Sequence, residues 1–91
     1  MFKRILVPVD GSDTSTKALV AALQLAREAD GRVRVVHALD ELAYVSGYDY
    51  GAEVMRIARD QAAKVLQDAM DVAKASGVPS DSKLVEAAGQ R

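Results

Sequence analysis

The chain has 91 residues, of which 49% are hydrophobic and 27% charged, with a formal net charge of −1 and no cysteine. These values are typical of one globular domain or part of one, and they exclude an intrinsically disordered chain, a disulfide framework and a thiolate zinc site. The basic surplus of a nucleic-acid-binding domain is absent, and no apolar run is long enough to span a bilayer. We therefore expect a cytoplasmic protein that binds neither nucleic acid nor membrane.

The first predicted elements are a strand and a helix. The run from Arg4 to Val9 is short, mostly apolar and β-branched, which is typical of a strand buried on both faces. Pro8 lacks a backbone donor and is expected at the carboxyl end of this strand. A turn cluster follows, in which Ser12 or Asp13 is expected to cap a helix over residues 15–29. The apolar stripe of that helix consists of Leu19, Ala22, Leu23 and Ala26.

A second strand follows the first helix. Gly31 is expected to take the left-handed conformation that commonly ends a helix. Val33 to Leu39 is another β-branched run typical of a strand buried on both faces. We interpret Arg32 and Arg34 as charges that protect the edge of a sheet. A loop is predicted from Asp40 to Gly51.

A long helix and a third strand complete the pattern. The helix is predicted over residues 53–76, and the helix-ending residues Gly77 and Pro79 follow it. Its buried stripe consists of Met55, Ala58, Ala62, Val65, Leu66, Ala69 and Ala73. The third strand is predicted from Lys83 to Ala88, with weaker strand character because it contains a lysine, a glutamate and two alanines.

The order β-α-β-α-β predicts an α/β fold with a parallel sheet. Right-handed crossovers in one direction give the strand order 3-2-1 and place both helices on one face of the sheet. The other face would then be bare, although the first two strands are predicted to be buried on both faces. We therefore expect further chain beyond Arg91, or another molecule, to cover that face.

A ligand site is predicted at the carboxyl end of the first strand, because open α/β sheets bind ligands where the strand order reverses. Asp10 stands there, and its carboxylate can accept hydrogen bonds from ribose hydroxyls or an adenine amine. An aspartate after a strand is also a common turn former or helix cap, and spacing alone favours that role over ligand binding. The end of the second strand, from His37 to Asp40, would form the other wall.

The remaining candidate side chains indicate no catalytic chemistry. His37 is the only histidine, and we interpret it as bonding a backbone group near the strand end, with a ligand contact as the alternative. Tyr44, Tyr48 and Tyr50 are interpreted as packing on a helix edge, with a base-stacking lid as the alternative. We assign no catalytic or metal-binding residue, because no nucleophile–base pair, paired carboxylates or metal-ligand cluster appears.

The run from Arg4 to Ser12 resembles the opening of the universal stress protein family. The Ala- and Leu-rich helix from Lys17, the strand ending Val36-His37-Ala38, the stop at Ser76 to Pro79 and the strand ending at Gly89 continue the resemblance over essentially the whole chain. The family fold is a Rossmann-like parallel sheet of five strands in the order 3-2-1-4-5. The resemblance implies that residues 1–91 are the N-terminal part of one such domain.

Many members of this family bind ATP, and the resemblance implies a regulatory stress-response protein that binds an adenine nucleotide, ATP or AMP, with at most weak ATP hydrolysis. The residue matching Asp10 contacts the nucleoside, those matching Pro8 and Val9 line the same wall, and the backbone matching Ala38 reads the adenine. In the family a later glycine loop, G-x2-G-x9-G-[S/T], holds the phosphates, with Mg²⁺ in the intact protein, and residues 1–91 contain no such loop. A homodimer is also implied, commonly formed through the fifth strand.

Two other functions stay open at this point. Some family members do not bind nucleotide, and a protein of that kind would act by dimerisation or partner docking. An adenylating enzyme with a PP-loop, S-G-G-x-D-S, is the second alternative. The segment from Asp10 to Ser15 is only faintly similar to that loop, because it lacks the second glycine and begins with Asp instead of Ser. A phosphorylated receiver domain is excluded because no acidic pair follows the first strand and no aspartate ends the third.

Overall fold

A computed structural model describes residues 3–39 and 51–86 of the chain. The elements are β1 Arg4–Pro8, α1 Asp13–Glu28, β2 Arg32–Leu39, α2 Gly51–Ser76 and β3 Ser80–Glu86. All three strands are parallel and β2 lies between β1 and β3, which confirms the predicted α/β fold and strand order. The predicted loop with Tyr44, Tyr48 and Tyr50, and the predicted strand end at Ala88 and Gly89, lie outside the described residues.

α1 begins at a capped N-terminus. Ser12 Oγ accepts the backbone N–H of Ser15 at 3.1 Å, and Asp13 places a carboxylate in the first turn, where the helix dipole favours it. The predicted stripe turns toward the sheet, and its fully buried members are Leu19, Leu23 and Ala26. Helical spacing of these apolar residues therefore sets the face through which α1 packs.

The end of α1 differs from the sequence prediction. Asp30, not Gly31, takes the left-handed conformation, with a φ of 56°. Gly31 is needed for a different reason: a Cβ atom there would lie 2.5 Å from the carbonyl oxygen of Lys3. That same carbonyl accepts the N–H of Arg32 at 2.8 Å. The missing side chain thus lets the segments that enter β1 and β2 lie against each other.

α2 packs on the sheet through small side chains. Its fully buried residues are Ala58, Ala62, Ala69 and Ala73, all in the predicted stripe. The outer face carries ion pairs one helical turn apart, such as Lys64 with Asp68 at 3.3 Å, which support the helix in water. Gly77, with a φ of 79°, ends the helix as predicted. Neither α1 nor the described part of α2 is long and apolar enough to cross a bilayer.

Both helices lie on the same face of the sheet, as the topology predicts. The buried core lies between the two helices and the sheet, and it consists of Val7, Val9, Leu19, Leu23, Ala26, Val33, Val35, Ala69, Ala73 and Val78. The opposite side of the sheet, here named the open face, consists of Arg4, Leu6, Pro8, Arg32, Arg34, Val36, Ala38, Asp81, Lys83 and Val85. Leu6 on this face is 67% exposed. Within the described residues, β1 and β2 are therefore buried only on the side that both crossover helices cover, and their predicted burial on the second face requires the further chain or other molecule expected there.

Arg32 and Arg34 also differ from their prediction. They lie on β2, which is the central strand, and not at a sheet edge. Arg34 bonds Asp81 of β3 across the open face with two hydrogen bonds, Nε to Oδ1 and Nη2 to Oδ2, each 2.9 Å long. The prediction was wrong because the place of β2 in the sheet depends on the pairing of β3, which is far away in sequence.

Candidate functional site

Val9 directly follows β1, and β2 binds both of its backbone groups. The N–H of Val9 donates to the Val36 carbonyl at 2.8 Å, and the carbonyl oxygen of Val9 lies 2.7 Å from Nδ1 of His37. Because a carbonyl oxygen only accepts, Nδ1 of His37 carries the hydrogen. This contact confirms the interpretation of His37 as a partner of the backbone near a strand end. It fixes the direction in which the chain leaves the sheet toward Asp10.

Asp10 lies in the turn before α1 and is not the helix cap. Its Oδ1 accepts the N–H of Ser12 at 2.9 Å, and its own N–H donates to Oγ of Ser15 at 3.3 Å. The cap is Ser12, one of the two predicted residues. Ser15 was not identified from sequence, although a hydroxyl residue three positions after a cap serine is a visible signal. A carboxylate offers about four acceptor positions, so Asp10 can accept further hydrogen bonds besides the one from Ser12.

Local hydrogen bonds keep Asp10 ionised. The side chain of Ser12, then its backbone N–H and the side chain of Ser15, hold the pKa of Asp10 below its ordinary value. Each of these groups favours the charged carboxylate over the neutral acid. The site therefore presents a negative charge throughout the physiological pH range.

We expect Ser12→Ala to raise the pKa of Asp10 toward its ordinary value, because Ser12 contributes the largest lowering. The stabilising effect of ionised Asp10 is present above the unfolded-state pKa of about 3.9 and is lost as the pH falls through the lower folded-state pKa. An NMR titration of the Asp10 carboxyl carbon measures the change. Thr16→Ala is the control, since the Thr16 hydroxyl donates to the Ser12 carbonyl and not to Asp10. Equal shifts in the two variants would contradict the assignment.

Pro8 and Ala38 lie on the open face near the turn of Asp10. Pro8 is opposite Val36 in the parallel register, so β2 continues past the end of β1. Successive residues of a strand direct their backbone groups to alternate sides. The Val36 carbonyl is directed toward β1, where it accepts the Val9 N–H, and the N–H and C=O of Ala38 are therefore directed to that side as well. There they face the space beyond the last residue of β1.

The four predicted site residues thus lie at one end of the sheet: Pro8, Val9, Asp10 and Ala38. The side chain of Val9 is buried on the helix side, whereas the other three are exposed. A cleft of about 370 Å³ between α1 and α2 reaches Val9 and Gly11 but includes none of the other three. Asp40, predicted for the second wall, lies outside the described residues. The candidate site is therefore an accessible wall and not a closed pocket.

The described residues do not build a metal centre. In residues 3–39 and 51–86, no three histidine or acidic side chains are grouped so that they could hold a metal ion. The chemistry that this wall offers is hydrogen bonding: acceptance by the Asp10 carboxylate, and paired donation and acceptance by the Ala38 backbone.

Comparisons with known proteins agree in one family. The family model described as "Universal stress protein family" matches residues 1–90. The universal stress protein YxiE of Bacillus subtilis strain 168 is 30% identical over 92 residues, which cover 90% of this chain and 62% of that protein. A Burkholderia pseudomallei protein of the same family, whose crystal structure is known, is 36% identical in sequence to this chain. The two structures match with a TM-score of 0.75 over 91% of this chain and 61% of the other.

One similar structure contains a nucleotide. It is a universal stress protein in complex with cAMP, 25% identical to this chain with a TM-score of 0.67, and the match covers 92% of this chain and 60% of that one. The chain therefore spans about three-fifths of the length of each of these three proteins.

Proposed function

The chain belongs to the universal stress protein family, and we propose that it carries the nucleoside-recognising part of an adenine-nucleotide site in a stress-response protein. The single observation that supports this most strongly is the position of ionised Asp10 near the backbone pair of Ala38, at the carboxyl ends of two neighbouring parallel strands. This end of an open α/β sheet is where such folds bind ligands. The related structure in complex with cAMP is consistent with an adenine ligand.

Each proposed contact uses ordinary hydrogen-bond chemistry. Asp10 accepts from the ribose hydroxyls, which gives charge-assisted bonds because the carboxylate is ionised. The C=O of Ala38 accepts from the exocyclic amine of adenine, and its N–H donates to the adjacent ring nitrogen. Pro8 and the backbone of Val9 supply the wall between these two groups. Guanine reverses the donor and acceptor pattern on its corresponding edge, so this arrangement favours adenine.

The phosphate contacts are not assigned to residues 1–91. The glycine loop that the family resemblance implies has no counterpart in this sequence, whose glycines are Gly11, Gly31, Gly47, Gly51, Gly77 and Gly89. We propose that phosphates, and any Mg²⁺ that accompanies them, are bound by a later part of the same domain. The α1 N-terminus is a poor substitute, because Asp10 and Ser12 already accept two of its backbone donors.

We expect Asp10→Ala to weaken AMP binding at least about tenfold, since hydrogen bonds to a charged group contribute roughly 1.5–3 kcal/mol. Isothermal titration calorimetry with AMP measures the effect, and GMP reports the base preference. Asp13→Ala is the matched control because it removes the same charge from the first turn of α1. Equal AMP affinity of the two variants would show that Asp10 only stabilises its turn and does not bind the nucleoside. A wild-type chain that does not bind AMP would contradict the proposal.

A second function is favoured by the open face of the sheet. Leu6 is 67% and Val85 38% exposed there, which is typical of a surface that further chain of the same domain or another polypeptide covers. An interaction protein that acts by dimerisation or partner docking would use this surface. A cytoplasmic homodimer formed through this face belongs to the same proposal, and sedimentation velocity of the chain tests it: a monomer at all concentrations would exclude a dimer through the open face.

A further inference from the structure

The peptide group that joins Val9 to Asp10 is held at both ends by side chains from two different elements. Its C=O lies 2.7 Å from Nδ1 of His37 in β2, and its N–H donates to Oγ of Ser15 in α1 at 3.3 Å. The C=O and N–H of a trans peptide point in opposite directions, so the two side chains hold this group from opposite sides. Any rotation of the peptide plane would weaken at least one of these two hydrogen bonds.

The hydroxyl of Ser15 has a defined direction. It donates to the carbonyl oxygen of Ser12 at 3.1 Å, so its oxygen is left to accept the N–H of Asp10. The N–H of Ser12 in turn donates to Oδ1 of Asp10 at 2.9 Å. These bonds begin at the backbone of Asp10 and return to its carboxylate. Ser15 therefore connects the orientation of the peptide group to the orientation of the carboxylate.

His37 holds the same peptide group from the helix side of the sheet. Its ring alternates along β2 with the buried side chains of Val35 and Leu39 and is itself half-buried. A hydrogen bond that is partly shielded from water is electrostatically stronger than one in solvent. The contact is also the shorter of the two that hold the peptide group. We therefore expect His37 to contribute more than Ser15 to fixing the peptide group.

We propose that His37 and Ser15 are positioning residues that orient the carboxylate of Asp10 toward a ribose. This inference rests on the proposed nucleotide site and adds to it the residues that set a preference for ribose over deoxyribose. The 2′ and 3′ hydroxyls of ribose are two donors at a fixed separation, and a carboxylate accepts both only in a narrow range of orientations. A carboxylate that is already held in that range loses less conformational freedom when the ligand binds.

Isothermal titration calorimetry of the chain with AMP and with 2′-deoxy-AMP tests the proposal. The wild type is expected to bind AMP at least about tenfold more tightly, which is the effect of one hydrogen bond to a charged group. In Ser15→Ala and in His37→Leu this preference should fall below about threefold, because a loosely held carboxylate gains less from the second hydroxyl. A loss of stability alone would not change the preference, since both nucleotides bind the same folded fraction.

Two matched variants control for these substitutions. Thr16→Ala also removes a hydroxyl that donates to the Ser12 carbonyl, but the N–H of Asp10 donates to Ser15 and not to Thr16. Its preference for AMP should stay at about tenfold. His37→Asn places an amide nitrogen near the position of Nδ1, and that nitrogen can donate to the Val9 carbonyl. This variant should restore the preference that His37→Leu loses.

Nitrogen-15 NMR of the ligand-free chain tests the first of the two contacts without any nucleotide. The neutral ring of His37 is expected to carry its hydrogen on Nδ1, because the Val9 carbonyl can only accept. The two ring nitrogens have distinct chemical shifts, so the spectrum identifies the protonated one.

Two results would overturn the inference and leave the proposed nucleotide site standing. The first is AMP binding with the same preference over 2′-deoxy-AMP in the wild type, Ser15→Ala and His37→Leu. The second is a neutral His37 ring with its hydrogen on Nε2, since that ring cannot donate to the Val9 carbonyl through Nδ1. A wild-type chain that binds neither nucleotide would instead refute the proposed function, together with the inference that rests on it.

Discussion

Replacing Leu19 with alanine is expected to lower the free energy of unfolding by about 3 kcal/mol. Leu19 is 1% exposed and belongs to the core cluster beneath the sheet. The substitution removes buried apolar volume and leaves a cavity, since a packed helix cannot close fully over the gap. Urea denaturation followed by circular dichroism measures the change as a lower midpoint with an unchanged slope.

Val20→Ala is the control for this prediction. Val20 directly follows Leu19 in α1 but is 50% exposed, so its truncation should cost less than about 1 kcal/mol. The difference between the two variants separates core packing from helix propensity. Equal midpoints would show that α1 does not pack on the sheet in the way described. A domain of this size has roughly 5–15 kcal/mol of stability in total, so the loss at Leu19 is a large fraction of it.

Gly31→Ala is expected to cost at least about 2 kcal/mol, as a forced overlap in a packed region. The added Cβ would lie 2.5 Å from the carbonyl oxygen of Lys3, which is a backbone atom and cannot rotate away. Relief requires the start of β1 to shift, and that shift also strains the hydrogen bond from Arg32 to the same carbonyl. Thermal and urea unfolding both measure the loss.

Gly77→Ala separates this steric effect from backbone conformation. Gly77 has a φ of 79°, yet a Cβ atom there would meet nothing within 4 Å. Its substitution should therefore cost about 1 kcal/mol, from the left-handed conformation alone. If Gly31→Ala proved no more destabilising than Gly77→Ala, the close approach of the two strand entries would be refuted.

The order of the elements could be predicted from sequence because each had a local signal. β1 and β2 are β-branched apolar runs, and the stripe of α1 has a clear helical period. The third strand was placed less well: it spans Ser80–Glu86, whereas the sequence predicted a start at Lys83. Its polar first half has little strand propensity of its own. It is extended because it pairs with β2, where Ser80 lies opposite Val33. Tertiary pairing decided that boundary.

The candidate site was predictable in part. Asp10 and His37 each follow or end an apolar run, so their place at a strand end could be derived from the chain alone. The partner of His37 could not, since Nδ1 reaches Val9, which lies 28 positions away. The grouping of Arg4, Arg32, Arg34 and Asp81 on the open face was not predicted at all, because it depends on the register of three strands. The interpretation of Arg32 and Arg34 as edge charges failed for the same reason.

The two kinds of contact around Asp10 imply an order of assembly during synthesis. Its turn is closed by residues two and five positions away, so it can form once the first turn of α1 has left the ribosome. The bond from His37 to the Val9 carbonyl, just after β1, can form only after α1 and most of β2 have been made. Closing that longer loop comes later because its entropic cost precedes any gain from the contact. A ligand of the finished wall can therefore stabilise the completed fold, but it cannot guide the first steps of its formation.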